Sequence, residues 1–213
     1  MSILFDVDLK PDIPHLPFYS LSYKKPGLPD YTEDFFKIVT RPITVIEFFA
    51  FILAGSMGYG KTEWVKWAAA KIIEHYGAEN VNAIRNRKGD LNSLLEAMDD
   101  RPVQVLFCDD SFGDLPGDLY HQFSLIRHRY EDILKEAGKP LKGVIYAFFG
   151  VQDFYQLDKR VRRVATGIIH KAGTVDRWGE RDLKAALGDE GIKELNLIDQ
   201  KAVSYTHLTL PTN

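Results

Sequence analysis

The chain of 213 residues is long enough for one domain with a sizeable core, and 45% hydrophobic with 27% charged residues is a globular composition. The formal net charge of −3 excludes a basic surface over the whole molecule, so contact with nucleic acid would need a local basic patch. No apolar run approaches the roughly 20 residues that span a bilayer, and the acidic N-terminus does not fit a secretory signal. Cys108 is the single cysteine, which excludes an internal disulfide. Together these features predict a cytoplasmic protein without a visible membrane segment, with Cys108 as a small core residue.

The first part of the chain, residues 1–42, is rich in proline, which favours extended structure laid over a domain rather than a core of its own. The prolines are Pro11, Pro14, Pro17, Pro26, Pro29 and Pro42. One short helix is predicted in this segment, over Tyr31–Val39, with Asp30 or Thr32 as its N-cap.

From Ile43 onwards, apolar strands alternate with amphipathic helices. The predicted strands are Ile43–Ala54, Asn80–Arg85, Val103–Cys108, Val144–Phe149 and one that begins at Gly167–His170. The predicted helices are Lys61–Tyr76, Leu91–Met98 with Asp90 as cap, a long helix between Asp118 and Gly138, and Phe154–Val164. This alternation predicts an α/β fold of three layers, with helices on both faces of a mainly parallel central sheet.

The end of the chain looks foreign to the rest. Val203–Thr212 resembles the translated adapter that is used to prepare DNA sequencing libraries. We therefore expect the natural sequence to stop near Lys201 or Ala202 and a further C-terminal region to be missing. Residues 203–213 are left out of the fold prediction, and the domain is assigned to residues 43–201.

A glycine-rich segment joins the first predicted strand to the helix that follows it. Its residues are Gly55, Ser56, Met57, Gly58, Tyr59, Gly60, Lys61 and Thr62, which match the Walker A pattern GxxxxGK[ST]. Glycines let the backbone fold around phosphates with its N–H groups inward, and the helix N-terminus adds partial positive charge. Lys61 is predicted to reach the β- and γ-phosphates, and the Thr62 hydroxyl to bind Mg²⁺. The sequence therefore predicts a P-loop nucleotide triphosphatase that binds ATP or a close relative.

Two acidic residues follow the strand VQVLFC and fit the Walker B arrangement. Because the carboxyl ends of adjacent parallel strands meet at one crevice, Asp109 is predicted to hold Mg²⁺ through water, beside the P-loop. Asp110 is predicted to orient or deprotonate the attacking water. Asp110–Gly113 also fits the DxxG of GTPases, but no guanine-reading Asn-Lys-x-Asp follows the later strand, so we set GTPases aside.

Further candidates lie after the fourth predicted strand. Gln152 follows that strand directly, where a polar side chain can sense the γ-phosphate or position water. Arg162 and Arg163 belong to the basic run KRVRR at residues 159–163. They are candidates for an arginine finger that reaches a neighbouring subunit, and the same run is a candidate contact for a DNA backbone. A solvated charged surface is the simpler interpretation of any one of these arginines.

The order of these motifs resembles the FtsK–HerA group of DNA-pumping ATPases over roughly residues 43–172. The shared order is Walker A, Walker B, the RHR of Arg127–Arg129, a strand ending in Gln, and LDKRVRR. Within that group the chain is most similar to zonula-occludens-toxin-like phage assembly proteins and to viral packaging ATPases. The resemblance implies a homo-oligomer that moves DNA or assembles a viral particle with a viral structural protein, in the host cytoplasm. Many members carry Asp-Glu at Walker B, whereas this chain has Asp109-Asp110.

Two other functions fit the same motifs. A small-molecule or nucleotide kinase would use the arginines of residues 159–163 as a lid over the phosphates. A nucleotide-dependent switch that hydrolyses poorly would follow from the shorter carboxylate of Asp110. Cofactors are the same in all three cases, ATP and Mg²⁺.

Overall fold

The structure is a computed structural model that describes residues 3–4, 32–54, 61–86, 91–108, 119–152, 165–170 and 189. The strands are β1 (Ile3–Leu4), β2 (Ile46–Ala54), β3 (Val81–Asn86), β4 (Val103–Cys108), β5 (Gly143–Val151) and β6 (Gly167–His170). The α-helices are α1 (Thr32–Val39), α2 (Lys61–Tyr76), α3 (Leu91–Glu96) and α4 (Leu119–Glu136), and a 3₁₀ turn at Ala78–Asn80 follows α2. The predicted helix over Phe154–Val164 and the predicted caps Asp30, Asp90 and Asp118 lie outside the described residues.

The strand and helix bounds differ from the predicted ones where pairing decides them. β2 begins at Ile46 rather than Ile43, because Ile46 is the first residue that pairs with β5. β5 extends to Val151 rather than ending at Phe149, since it pairs with β2 over its whole length. α3 ends at Glu96 instead of Met98. The next residues form hydrogen bonds between positions three apart, such as Ala97 N to Leu94 O at 3.2 Å, and not the bonds between positions four apart that an α-helix needs.

The strands form a single sheet in the order β1-β3-β4-β5-β2-β6. Every neighbouring pair is parallel except β1 with β3. The predicted α/β class with a mainly parallel sheet is confirmed. One expectation is wrong: the strand before the glycine-rich segment and the strand before Asp109 are not adjacent, because β5 lies between β2 and β4 and pairs with both.

The helices cover both faces of the sheet, as the order of the strands requires. From β2 the chain crosses to β3, and then returns through β4 to β5 in the opposite direction. Because crossovers between parallel strands are right-handed, the two directions put their helices on opposite faces. α2 packs on one face together with α1, and α3 and α4 pack on the other. The predicted three layers are therefore present.

The face under α2 is rich in aromatic side chains. α2 buries Trp64, Val65, Ala68, Ala69 and Ile72. Ile73 and Tyr76, which the helical spacing also predicts on this face, are half-buried. Phe51 of β2 stacks on Phe148 of β5 with ring centroids 5.2 Å apart, and Trp64 meets Phe148 edge-on at 5.9 Å. Aromatic pairs of this geometry add to the stabilisation that burial gives. Cys108, on the other face, is 1% exposed, which confirms it as a core residue.

α1 belongs to the same core although the prolines precede it. Phe35 and Val39 are buried, and Phe35 meets Trp64 edge-on at a centroid distance of 5.1 Å. The Tyr146 hydroxyl donates to the carbonyl of Val39 at 3.0 Å. Burial raises the pKa of Tyr146 far above its ordinary value, so this hydroxyl remains a neutral donor. The helix predicted over residues 31–39 is thus present and is attached to β5.

On the opposite face α4 approaches the sheet closely at one glycine. Ile126, Tyr130 and Leu134 form its buried stripe. The Tyr130 hydroxyl donates to the carbonyl of Arg101 at 2.6 Å. A methyl group at Gly143 would overlap the Tyr130 ring and hydroxyl, so the start of β5 has room only for glycine.

The amino ends of β3 and β4 carry a group of polar residues that we call the amino-end cluster, made of buried Asn82 and Gln104 and of partly exposed Asp99 and Arg101. Asn82 Nδ2 donates to Gln104 Oε1 at 2.8 Å, and Gln104 Nε2 donates to the carbonyl of Arg101 at 2.8 Å. Arg101 Nη1 donates to the carbonyl of Val81 at 2.7 Å. Asn82 and Gln104 are 2% and 0% exposed. Their hydrogen bonds offset the loss of contact with water that this burial causes.

None of the helices in the described part of the chain combines the length and apolarity that crossing a bilayer requires.

Candidate functional site

The carboxyl ends of β2, β5 and β4 meet at one edge of the sheet. Ala54, the last residue of β2, is paired with Val151, the last residue of β5. Cys108, the last residue of β4, is paired with Phe149 of β5. From β2 the chain continues towards β3, whereas from β5 it continues to β6 on the other side of β2. Connections that leave two neighbouring strands in opposite directions open a crevice between their ends, which is where ligands bind in parallel sheets.

Lys61 and Thr62 stand at this edge because they begin α2. Lys61 is the first residue of the helix and is 7% exposed, and Thr62 is half-buried. The first N–H groups of a helix have no partners within the helix and carry its positive partial charge. A buried ammonium group and a hydroxyl at such a helix start form a site with the chemistry of anion binding.

Arg85 of β3 also reaches this helix start. Its Nη2 donates to Thr62 Oγ1 at 3.3 Å. Its guanidinium carbon lies 5.6 Å from the centre of the Phe107 ring, within the range of a cation–π interaction. A second positive group of the same chain is therefore held beside the predicted magnesium ligand.

Gln152 follows β5 directly and is half-buried. Its predecessor Val151 is paired with Ala54, so Gln152 stands next to the point where the glycine-rich segment leaves β2. Gln152 therefore lies one residue beyond the last pair of β5 with β2 and three residues beyond the last pair of β5 with β4. The sequence predicted β5 but not its place between β2 and β4, and this place puts Gln152 near the ends of both strands.

The described donors are compatible with magnesium. Among the described residues no group of three or more His, Cys, Asp or Glu side chains is arranged to hold a metal ion. Mg²⁺ does not need such a cage, because it keeps several waters and takes one or two protein oxygens together with phosphates. The Thr62 hydroxyl is a hard oxygen of this kind. Asp109, the next residue after Cys108 at the end of β4, supplies a second candidate oxygen in the sequence.

Several predicted site residues lie outside the described residues. They are Gly55, Ser56, Met57, Gly58, Tyr59, Gly60, Asp109, Asp110, Arg162 and Arg163. The structure therefore brings Lys61, Thr62 and Gln152 to one edge of the sheet and leaves the other assignments as predictions. Arg127 and Arg129, from the RHR of the resemblance, are exposed on α4.

The sequence analysis missed Arg85. The strand VNAIRN carries a single basic residue next to its carboxyl end, and in a parallel sheet that position is close to the ligand edge. A basic residue there is a usable signal, but only the structure shows that the guanidinium extends to α2.

The sheet order, the helix layers and the helix that begins at Lys61 define the P-loop NTPase fold. Solved structures with the same fold include the DNA-packaging ATPase B204 from Sulfolobus turreted icosahedral virus, with a TM-score of 0.51 and 10% identity over 78% of this chain and 98% of that chain. The genome packaging NTPase B204 from Sulfolobus turreted icosahedral virus 2, in complex with AMPPCP, has a TM-score of 0.49 and 12% identity over 71% of this chain and 88% of that chain. The same protein with ATP-gammaS gives 0.49 and 13%, with the same coverage. No protein-family model and no curated protein sequence matches the chain.

Proposed function

We propose that this chain is an ATPase that binds Mg²⁺–ATP at the carboxyl edge of the sheet and hydrolyses it. The observation that carries the proposal is the burial of Lys61, which is 7% exposed at the first residue of α2. Lysine is among the residues least often buried in proteins. Its burial at a helix start, directly after a glycine-rich segment, matches what a triphosphate requires of its binding site.

Each residue has a distinct role in this proposal. The backbone of Gly55–Gly60 surrounds the phosphates, and Lys61 neutralises the phosphoryl group that is transferred. Thr62, and Asp109 through water, would hold Mg²⁺, and the metal would supply positive charge beside the phosphates. Asp110 orients the attacking water, and Gln152 contacts that water or the γ-phosphate from the end of β5.

The test of nucleotide binding is a comparison of two lysines on the same helix. Lys66 forms a surface ion pair with Glu63 at 2.8 Å and is a matched control. Titration calorimetry with ATP and Mg²⁺ should show that Lys61→Ala lowers the affinity by about 10- to 100-fold, the value of a charge-assisted contact. Lys66→Ala should bind like the parent. Equal binding by Lys61→Ala and the parent would contradict the proposal.

We propose further that the ATPase works as a homo-oligomer that translocates or packages DNA, or assembles a viral particle, in the host cytoplasm. Two observations support this role. The DNA-packaging ATPase B204 has the same fold, and the order of the motifs resembles the FtsK–HerA group and its zonula-occludens-toxin-like members. Arg162 and Arg163 are then the residues that a neighbouring subunit inserts at the γ-phosphate.

A mixing experiment tests the shared site. Lys61→Ala protein and protein with Arg162→Ala and Arg163→Ala should each be inactive alone. If the arginines act on a neighbouring subunit, mixed oligomers contain some intact sites and recover part of the hydrolysis rate. No recovery on mixing, with oligomers seen by light scattering, would contradict an arginine finger. Stimulation of the rate by double-stranded DNA tests the motor role separately.

The two alternatives are separated by their products. A kinase transfers phosphate to an acceptor and releases little phosphate without one, whereas the proposed ATPase releases phosphate with water alone. A weakly hydrolysing switch would bind ATP well, turn over slowly and gain substantially from Asp110→Glu. No contact among the described residues favours either alternative over hydrolysis.

A further inference from the structure

Arg85 occupies a position that the proposed mechanism does not use. Its Nη2 donates to Thr62 Oγ1 at 3.3 Å, and this oxygen is the proposed magnesium ligand. The metal would bind this oxygen at about 2.1 Å, so it would lie within about 5.5 Å of the Arg85 nitrogen. Two positive charges at that separation repel each other in a partly buried site. The guanidinium in its present position and the metal therefore oppose each other.

Phe107 gives the guanidinium a second support. The Phe107 ring belongs to β4, the neighbour of β3, and Arg85 is paired with Phe107 across the two strands. The guanidinium carbon lies 5.6 Å from the ring centre. Arg85 can therefore leave the Thr62 hydroxyl and retain a favourable contact with the ring.

We propose that Arg85 is a positioning residue that competes with magnesium for the Thr62 hydroxyl and so sets the magnesium concentration at which nucleotide binds tightly. In the absence of metal, the guanidinium holds the hydroxyl and adds positive charge for the phosphates. When the metal is bound, the guanidinium withdraws towards Phe107. The inference rests on the proposed nucleotide site, and it assigns to β3 a regulatory contact within that site.

The experiment measures the affinity for ATP by calorimetry, first with a chelator and then over a series of magnesium concentrations. Arg85→Gln removes the charge. It should lower by about fivefold the magnesium concentration at which the affinity for ATP is half-maximally enhanced, because the metal no longer competes with a long charged hydrogen bond. Its affinity for metal-free ATP should fall. Arg85→Lys should lie between the two proteins, because it retains the charge without the planar fork. Lys135→Gln, an exposed charge change on α4, should leave the magnesium dependence unchanged.

A second substitution isolates the contact itself. Thr62→Val removes the hydroxyl for which the guanidinium and the metal compete. In that background Arg85→Gln should shift the magnesium dependence less, because only charge repulsion remains, and the difference between the two backgrounds measures the coupling of Arg85 and Thr62.

The possible failures are distinguishable. If the parent binds no ATP with or without magnesium, the proposed function and the inference both fall. If the parent binds ATP but Arg85→Gln leaves the magnesium dependence unchanged, only the inference falls. It also falls if Arg85→Gln weakens metal-free and metal-bound nucleotide by the same factor, since Arg85 would then be a simple phosphate ligand.

Discussion

The two ends of the same sheet carry polar side chains that serve different purposes. At the amino ends of β3 and β4, Asn82 and Gln104 are buried. Asn82 donates to Gln104 and to the carbonyl of Ala97, and Gln104 donates to Asp99 and to the carbonyl of Arg101. At the carboxyl edge, Lys61, Thr62 and Gln152 stand at a helix start and a strand end, beside the glycine-rich segment. The amino-end cluster holds neighbouring parts of the chain together, whereas the carboxyl edge presents its polar groups where connections diverge.

The pKa of Asp99 reflects the hydrogen bonds within the amino-end cluster. Burial raises the pKa of Asp99, but the hydrogen bonds that it accepts from the side chain and backbone of Arg101 and from Gln104 lower it more. The net pKa lies below the ordinary value of aspartate. The polar side chains of this cluster therefore have structural partners, whereas Lys61 is buried at a helix start directly after the glycine-rich segment.

The largest effect on stability is expected at Gly143. Gly143→Ala would force a methyl group into the Tyr130 ring, which is fixed by its bond to the Arg101 carbonyl. We expect a loss of about 3 kcal/mol in the free energy of unfolding, measured by urea denaturation. The exposed neighbour Lys142→Ala should stay within about 0.5 kcal/mol of the parent. A Gly143→Ala protein as stable as the parent would show that α4 packs less tightly on β5 than described.

The next prediction changes a glutamine at the amino end. Gln104→Leu leaves the carbonyl of Asp99 and the amide of Asn82 each with one bond fewer in a dry environment. The free energy of unfolding should fall by about 2 kcal/mol. The affinity for ATP of the protein that remains folded should not change. A loss of affinity without a loss of stability would contradict the division between the two ends.

The same substitution at the carboxyl edge should give the opposite pattern. Gln152→Leu is expected to keep the stability within about 0.5 kcal/mol, because this half-buried side chain follows the strand rather than lying in it. The turnover of ATP should fall by about 10- to 100-fold, the cost of one group that acts on the transition state. Steady-state phosphate release and urea denaturation on the same sample test both parts. Normal turnover would remove Gln152 from the catalytic group.

The smallest effect concerns pH and Asp99. Because the pKa of the carboxylate is depressed in the folded state, its contribution is present above the pKa of the unfolded chain and is lost as pH falls through the folded value. Asp99→Asn should cost about 1 kcal/mol at pH 7, a modest figure because Asp99 is partly exposed. The difference from the parent should shrink below about pH 4. Urea denaturation at pH 7, 5 and 3 measures this, and a difference that grows in acid would contradict it.

The sequence was sufficient for β2 and α2 because both have a strong local pattern. β2 is buried over residues 50–54, and the helical spacing of Trp64, Ala68 and Ile72 predicted their burial correctly, whereas Tyr76 of the same spacing is half-buried. Lys61 and Thr62 could be proposed as site residues because the Walker A pattern has a fixed spacing. Gln152 could be proposed because it follows an apolar strand directly.

The order of the strands was not predictable in the same way. The residues of β5 do not indicate that it lies between β2 and β4, because each of the three strands is an apolar run that can pair with either of the others. Arg85 was missed because its contact with Thr62 joins a strand and a helix whose residues are 23 positions apart in the sequence. Asn82 and Gln104 were missed because a single amide in an apolar strand has meaning only when its partner is known.

The attachment of α1 has a practical meaning. Phe35 and Val39 fill space between α2 and the sheet, and the link to β2 passes through Arg41, Pro42 and Thr44, which are exposed. Cleavage of the backbone between α1 and β2 should leave two fragments that remain associated, because α1 stays packed on α2 and the sheet. A shortened protein without α1 would lack Phe35 and Val39 and would expose the aromatic side chains that they cover. A protein expressed to study residues 43–201 should therefore include α1 and begin before Thr32.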